Sequence, residues 1–203
     1  NSVELFLDMP ERLPEIFSSL EKQNNTLLEM IDSLLIWSKK QLSGNTALTL
    51  EALPLRNVMT PITDLYAQII IDKQGTIINQ LSEKQCVYAE AVSLSLICRN
   101  LISNALKFIE PKTGVITLSM EHGTKFDRIL IADNGIGMSP EHVDKILQSS
   151  KINDTTQGTN NEQGHGIGLF ISQYFIKKYN GKLDCESTEG KGTTFTISIP
   201  KKV

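Results

Sequence analysis

The sequence predicts an α/β domain preceded by one long helix, on three observations. Residues 45–203 alternate between short apolar runs of strand type and stretches with apolar residues at helical spacing. The first 44 residues carry only the helical period. Between Gln148 and Gly166 the chain holds Ser, Asn, Thr, Gln and Gly with almost no apolar residue. That stretch cannot bury a core face, so a long functional loop is expected there, a lid above all.

The opening helix is expected from Leu13 to Leu42. Leu13, Leu20, Leu27 and Leu34 repeat every seven residues, flanked by rows containing Ile16, Phe17, Met30, Ile31 and Trp37, and Leu28, Leu35 and Leu42. This is a wide apolar stripe on a helix of roughly 45 Å. Pro10 and Pro14 suit its entry, and Ser43-Gly44-Asn45 its end. A stripe this wide needs partners, either in an ordinary helical bundle or in a dimer stalk. Residues 1–44 therefore form one segment and residues 45–203 the other.

Within the second segment the predicted strands are Leu48–Leu50, Thr76–Gln80, Cys86–Tyr88, Val115–Met120, Arg128–Ala132, Lys182–Cys185 and Thr193–Ile199. The predicted helices are Pro54–Ile70, Ala91–Phe108, Pro140–Leu147 and Gly168–Tyr179.

Composition narrows the function. The 203 residues are 40% hydrophobic and 21% charged, ordinary for a globular protein. A formal net charge of -3 with scattered Lys and Arg leaves no nucleic-acid footprint. Cys86, Cys98 and Cys185 form no CxxC pair, so neither a zinc site nor a disulfide framework is implied. No apolar run approaches the ~20 residues that span a bilayer, and no signal-peptide pattern opens the chain. The expectation is a cytoplasmic segment, attached to a membrane only through parts of a parent protein outside this sequence.

Three motifs carry chemistry. On the helix Ala91–Phe108, Asn100, Asn104 and Lys107 share one face at ~100° per residue. A carboxamide oxygen is a neutral ligand suited to Mg²⁺, and an ammonium meets phosphate as a point charge. Alone, such a face is more often simply solvated. Next, the apolar run Ile129–Ala132 delivers Asp133 to a turn, Asn134-Gly135-Ile136-Gly137-Met138. An ionised Asp only accepts hydrogen bonds, so it can receive an exocyclic amine such as adenine's. The glycines allow a sharp turn and close approach of a ligand. Third, Gly164-His165-Gly166-Ile167-Gly168-Leu169 opens a helix, where exposed N–H groups favour phosphate. It is not a dinucleotide fingerprint, because polar residues precede it instead of a strand.

In this order, with Gly190-Lys191-Gly192-Thr193 leading into the last strand, the motifs resemble those of the GHKL superfamily of ATPases and kinases. Arg99–Phe108 is similar to the histidine-kinase N box, Asp133–Met138 to the G1 box and Gly164–Leu169 to the G2 box. The resemblance runs from Leu50 to the end. It implies the Bergerat ATP-binding fold, a two-layer α/β sandwich with a mixed sheet and helices on one face. It implies ATP and Mg²⁺ as cofactors. Asn104 would coordinate the metal, with Asn100 beside the phosphates and Lys107 touching them. Asp133 would take the adenine amine, Gly135 and Gly137 would let the base pass, and Thr193 would place a hydroxyl near it. Gly164, Gly166, Gly168 and Leu169 would form the lid hinge and phosphate cradle.

Position 100 points to a kinase. GHKL hydrolases hold a water-activating Glu there, and a carboxamide is no general base near neutral pH. The implied activity is transfer of the γ-phosphoryl group to a histidine on a dimerisation stalk, for relay to a response regulator in a two-component system. Leu34–Gln41 resembles the end of a second stalk helix, which implies a homodimer of the parent protein. The phosphoaccepting H box is absent: His122, His142 and His165 are the only histidines, and none lies on a stalk-like helix. It is expected upstream of Asn1. Pro140–Asn153 also lacks the Phe residues of the family's F box. That motivates an alternative, a nucleotide-binding module with weak or no turnover; a third reading, a GHKL ATPase or serine kinase, is disfavoured by Asn100 and by the stalk-like helix.

Overall fold

The computed structural model describes residues 13, 16, 17, 24, 27, 28, 31, 33–39, 49–148 and 167–202. Two compact units divide the chain, Asn1–Thr46 and Ala47–Val203. In the first, every described residue is helical. Phe17, Leu27, Leu28, Ile31 and Leu35 of its apolar stripe are exposed. Among the described residues, no helix is long and apolar enough to cross a membrane.

The second unit contains β1 (Glu51–Pro54), α1 (Leu55–Leu65), α2 (Ala67–Asp72), β2 (Thr76–Asn79), β3 (Cys86–Ala89) and α3 (Ala91–Phe108). It continues with β4 (Val115–His122), β5 (Phe126–Asp133), α4 (Pro140–Gln148), α5 (Ile167–Lys178), β6 (Lys182–Thr188) and β7 (Gly192–Pro200). Five strands form one sheet in the order β2-β4-β5-β7-β6, and β1 and β3 form a separate antiparallel pair. The β2–β4 pair is parallel and the rest of the main sheet is antiparallel, so the sheet is mixed.

Strand alternation explains the layering. Residues at i and i+2 share a face of a strand. Leu118, Ile131 and Phe195 lie in one cross-strand row and Met120, Ile129 and Ile197 in the next, all buried. The opposite face carries Thr117, Ser119, Arg128, Thr194 and Thr196. The described helices of this unit pack on the apolar face, which gives the two-layer sandwich. In that layer α3 packs against α5 and against α1. Leu94, Ile97, Leu101 and Phe175 are fully buried at its centre.

Most predicted elements return with ends shifted by one to three residues, and α3 returns with the same bounds. Leu48 lies outside the described residues, and 49–50 are not strand; β1 begins at Glu51. The predicted helix Pro54–Ile70 is two helices in succession. Tyr66, buried, adopts φ −96° and ψ 4° between them. The buried positions Leu55, Met59, Ile62, Tyr66 and Ile70 keep helical spacing across the break, so periodicity does not reveal it. Two helix ends use the same device. Asn180 (φ 56°) and Gly181 cap α5 through bonds from Gly181 N–H to the Ile176 carbonyl and from Asn180 N–H to that of Lys177. Gln74 (φ 53°) and Gly75 cap α2 in the same way on Ile70 and Ile71.

Candidate functional site

The apolar face of the sheet turns polar at one end. There the cross-strand row reads Ile116, Asp133, Thr193, Ser187 across β4, β5, β7 and β6. Asp133 is the last residue of β5, on the face of Ile129 and Ile131, so the strand's own alternation turns its carboxylate toward the helix layer. Burial pushes its carboxyl pKa up from the ordinary value, opposed by the backbone N–H groups of Gly135 and Thr193. The Gly135 N–H donates to Asp133 Oδ1 at 2.9 Å. A carboxylate has about four acceptor positions, so two backbone donors leave capacity for a ligand amine.

A cavity of about 450 Å³ opens against this row, lined among others by Asp133, Val143, Asp144, Cys185, Ser187 and Thr193. Burial, with the negative charges of Asp133 and Glu186 beside it, pushes the Cys185 thiol up to about 12. Cys185 thus lines the cavity as a neutral thiol.

The turn after β5 is held by the chain's own backbone. A Cβ on Gly135 would lie 2.3 Å from the Phe108 carbonyl oxygen, and one on Gly137 (φ 66°) 2.0 Å from that of Thr188. Gly192 (φ 111°) would bring a Cβ to 2.0 Å from the Asp133 carbonyl oxygen. The sequence accounts for Gly135 and Gly137 by the approach of a base; here they admit protein backbone. Asn134 is likewise structural: its amide donates to the Thr113 carbonyl at 2.8 Å and its oxygen accepts the Val115 N–H at 2.7 Å.

The α3 motif connects to this turn and to α5. The Ile136 N–H donates to the Phe108 carbonyl at 3.1 Å, which joins the end of α3 to the Asp133 loop. At Asn100, the side-chain amide donates to the Gly168 carbonyl at 3.0 Å and to Ser172 Oγ at 3.3 Å. A carbonyl can only accept, so the amide orientation is determined, and both N–H bonds are committed to α5. Asn100 can offer the site only its oxygen. Asn104, one turn on, is half-buried. Lys107 is half-buried near the helix end, with Nζ 5.2 Å from the centre of the Phe108 ring. Leu169 is half-buried in the first turn of α5.

Thus Asp133, Gly135 and Thr193 gather in one cluster and Asn100 and Gly168 in another, bridged by the Gly135–Phe108 contact. Gly164, Gly166, His165 and most of the expected lid lie outside the described residues. His122 ends β4, with Nδ1 2.8 Å from Asp127 Oδ1. His142 lies in α4. Sequence reasoning missed Ser187. Its hydroxyl accepts the Met138 N–H at 2.8 Å, contacts the Gly192 carbonyl at 3.0 Å and lies 2.9 Å from Thr193 Oγ1. No motif marks it; only its register opposite Thr193 does.

Residues 89–203 match the family of histidine kinase-, DNA gyrase B- and HSP90-like ATPases. The chain belongs to this family. Among curated proteins it is similar to the sensor protein SrrB of Staphylococcus aureus, with 26% identity over 192 residues, 95% of this chain and 32% of that protein. The chain thus spans about a third of the curated relatives it matches. Among solved structures it is similar to the histidine kinase ThkA in complex with the response regulator protein TrrA, with TM-score 0.69, 20% identity, and coverage of 95% of this chain and 52% of that one. It is also similar to full-length ShkA in complex with AMPPNP, with TM-score 0.67, 20% identity, and coverage of 94% and 39%. At these identities the structural likenesses speak for the fold. Family and relatives together identify a GHKL domain of the sensor histidine kinases.

Proposed function

We propose that residues 45–203 bind Mg·ATP and donate its γ-phosphoryl group to a histidine on a dimerisation stalk, for relay to a response regulator. Residues 1–44 are the second helix of that stalk, which pairs two copies of the parent protein. The domain works on the cytoplasmic side. The observation that carries this reading is the acceptor pair Asp133 and Thr193 on the wall of the cavity, next to a turn whose glycines bind it to the end of α3.

The residues fit the nucleotide. Asp133 accepts the exocyclic amine of the base, and Thr193 contributes a second oxygen. Asn104 is a neutral ligand for Mg²⁺, Asn100 lies beside the phosphates, and Lys107 meets them. Gly168 and Leu169 place the first turn of α5 near the anion, with Gly164 and Gly166 before it. Bound Mg·ATP supplies the transferable phosphoryl group and charge neutralisation. The protein supplies position and excludes the competing nucleophile: with Asn at 100, no carboxylate stands four residues before Asn104 to activate water. The exposed apolar residues of the N-terminal helix fit a stalk that needs partner helices.

Mixing the protein with a stalk protein bearing an H box should yield acid-labile phosphate on the stalk. In calorimetry, Asn104→Ala should weaken Mg·ATP roughly tenfold and metal-free nucleotide little. Equal losses with and without metal would refute the metal role, and no transfer to any compatible stalk would refute the kinase reading. A nucleotide-binding module with weak turnover is a second reading, favoured by α4, which has no buried residue and lacks Phe.

A further inference from the structure

We infer that Ser187 is a specificity-determining positioning residue, which fixes the Thr193 hydroxyl as an acceptor and so makes the site select a 6-aminopurine over a 6-oxopurine. The inference rests on the reading above, that Asp133 and Thr193 face the base.

The argument is one of proton counting. A serine hydroxyl has one proton and two lone pairs. The Gly192 carbonyl, 3.0 Å from Ser187 Oγ, can only accept, so Ser187 gives its proton there. The Met138 N–H can only donate, and fills one lone pair at 2.8 Å. The remaining contact, to Thr193 Oγ1 at 2.9 Å, is then satisfied in one direction alone: Thr193 donates and Ser187 accepts. Ser187 is left with every bond made, and the Thr193 proton is turned away from the cavity. Thr193 is 7% exposed, so little water competes for that proton. What Thr193 can offer a ligand is its lone pairs.

Beside it in the row, the ionised Asp133 also only accepts. Two acceptors suit the amino group at position 6 of adenine, which has two hydrogens to give. A 6-oxopurine places a carbonyl oxygen there and meets acceptors only. Ser187, two strands from Asp133, thereby decides the sign of half of the recognition. The three contacts also join the Asp133 loop, β6 and the start of β7, which keeps the polarity fixed whether or not ligand is bound.

The test is competitive binding of ATP and ITP, which differ in the group at purine position 6, to the full chain. The wild type should prefer ATP. In Ser187→Ala the Thr193 proton is released and can turn to a ligand carbonyl, so the ITP-to-ATP ratio of dissociation constants should fall roughly three- to tenfold. Ser187→Thr retains the hydroxyl and should keep the wild-type ratio. Ser187→Cys, a poorer donor and acceptor, should fall between and serves if the alanine variant does not fold. If Ser187→Ala weakens both nucleotides equally and leaves the ratio unchanged, Ser187 is only structural and the inference fails while base recognition stands. If the wild type itself does not distinguish ATP from ITP, the base-reading role of Asp133 and Thr193 fails, and this inference with it.

Discussion

Gly135→Ala probes the contact on which the site's assembly depends. An alanine Cβ would lie 2.3 Å from the Phe108 carbonyl oxygen, 2.7 Å from its carbon and 2.9 Å from Asp133 Oδ1. Ordinary contact begins at 3.4 Å, so the nearest atom stands 1.1 Å too close. Nor can that oxygen readily retreat, since it belongs to the last turn of α3 and accepts the Ile136 N–H. The strain therefore spreads to the Asp133 loop. Overpacking of this kind costs about 1–3 kcal/mol, and a backbone obstacle puts it near the top. At roughly 2–4 °C per kcal/mol, the melting temperature should drop by about 6–12 °C. Displacing the carboxylate from the Gly135 N–H should also weaken ATP by about tenfold or more, the worth of a hydrogen bond to a charged group. Gly190→Ala is the control: its φ is 74° but nothing lies within 4 Å of its Cβ, so only the left-handed backbone cost of about 1–2 kcal/mol applies. Thermal unfolding and nucleotide titration of both variants decide the matter. If Gly135→Ala melts no lower than Gly190→Ala and binds ATP as the wild type does, the packing argument is wrong.

Two further outcomes follow from the polar groups. Asn100→Asp keeps the shape but loses both donors to Gly168 and Ser172 and faces a carbonyl with a carboxylate; thermal unfolding should show a loss of about 2–3 kcal/mol, and wild-type stability would refute the assigned amide orientation. Asp133 has its pKa raised by burial, so the fold favours its neutral form: this contribution stabilises at acid pH and is lost as pH rises from the unfolded value of 3.8 through the raised folded one. Binding runs the other way, because the protonated acid cannot accept the base amine. ATP affinity should fall on acidification at a pH above 3.8, and Asp133→Asn should abolish that step in calorimetric titrations. A step of the same size in the variant would assign the titration elsewhere.

Much of the fold was legible in sequence. The bounds of α3 could be read because eighteen residues without Gly or Pro keep one apolar stripe and stop just before Glu110-Pro111. The apolar run Ile129–Ala132 marked β5, and Asp133 at its end stood out as a polar residue after that run. The break at Tyr66 was not legible, because the spacing of buried residues continues through it.

By itself, the sequence determined which chemical groups are available and in what order along the chain: the two carboxamides of α3, the Asp after β5 and the glycines around them. Those are local properties, carried by periodicity and residue type. Only the tertiary structure decided what meets what. Gly135 and Gly137 are glycines because distant carbonyls, Phe108 and Thr188, come within a Cβ's reach, and Asn100 turns its nitrogen away because α5 presents a carbonyl to it. Ser187 gains its part from a strand register six residues wide in sequence but one row wide in space. Hydrogen-bond direction depends on which partner arrives, and partners come from elsewhere in the chain.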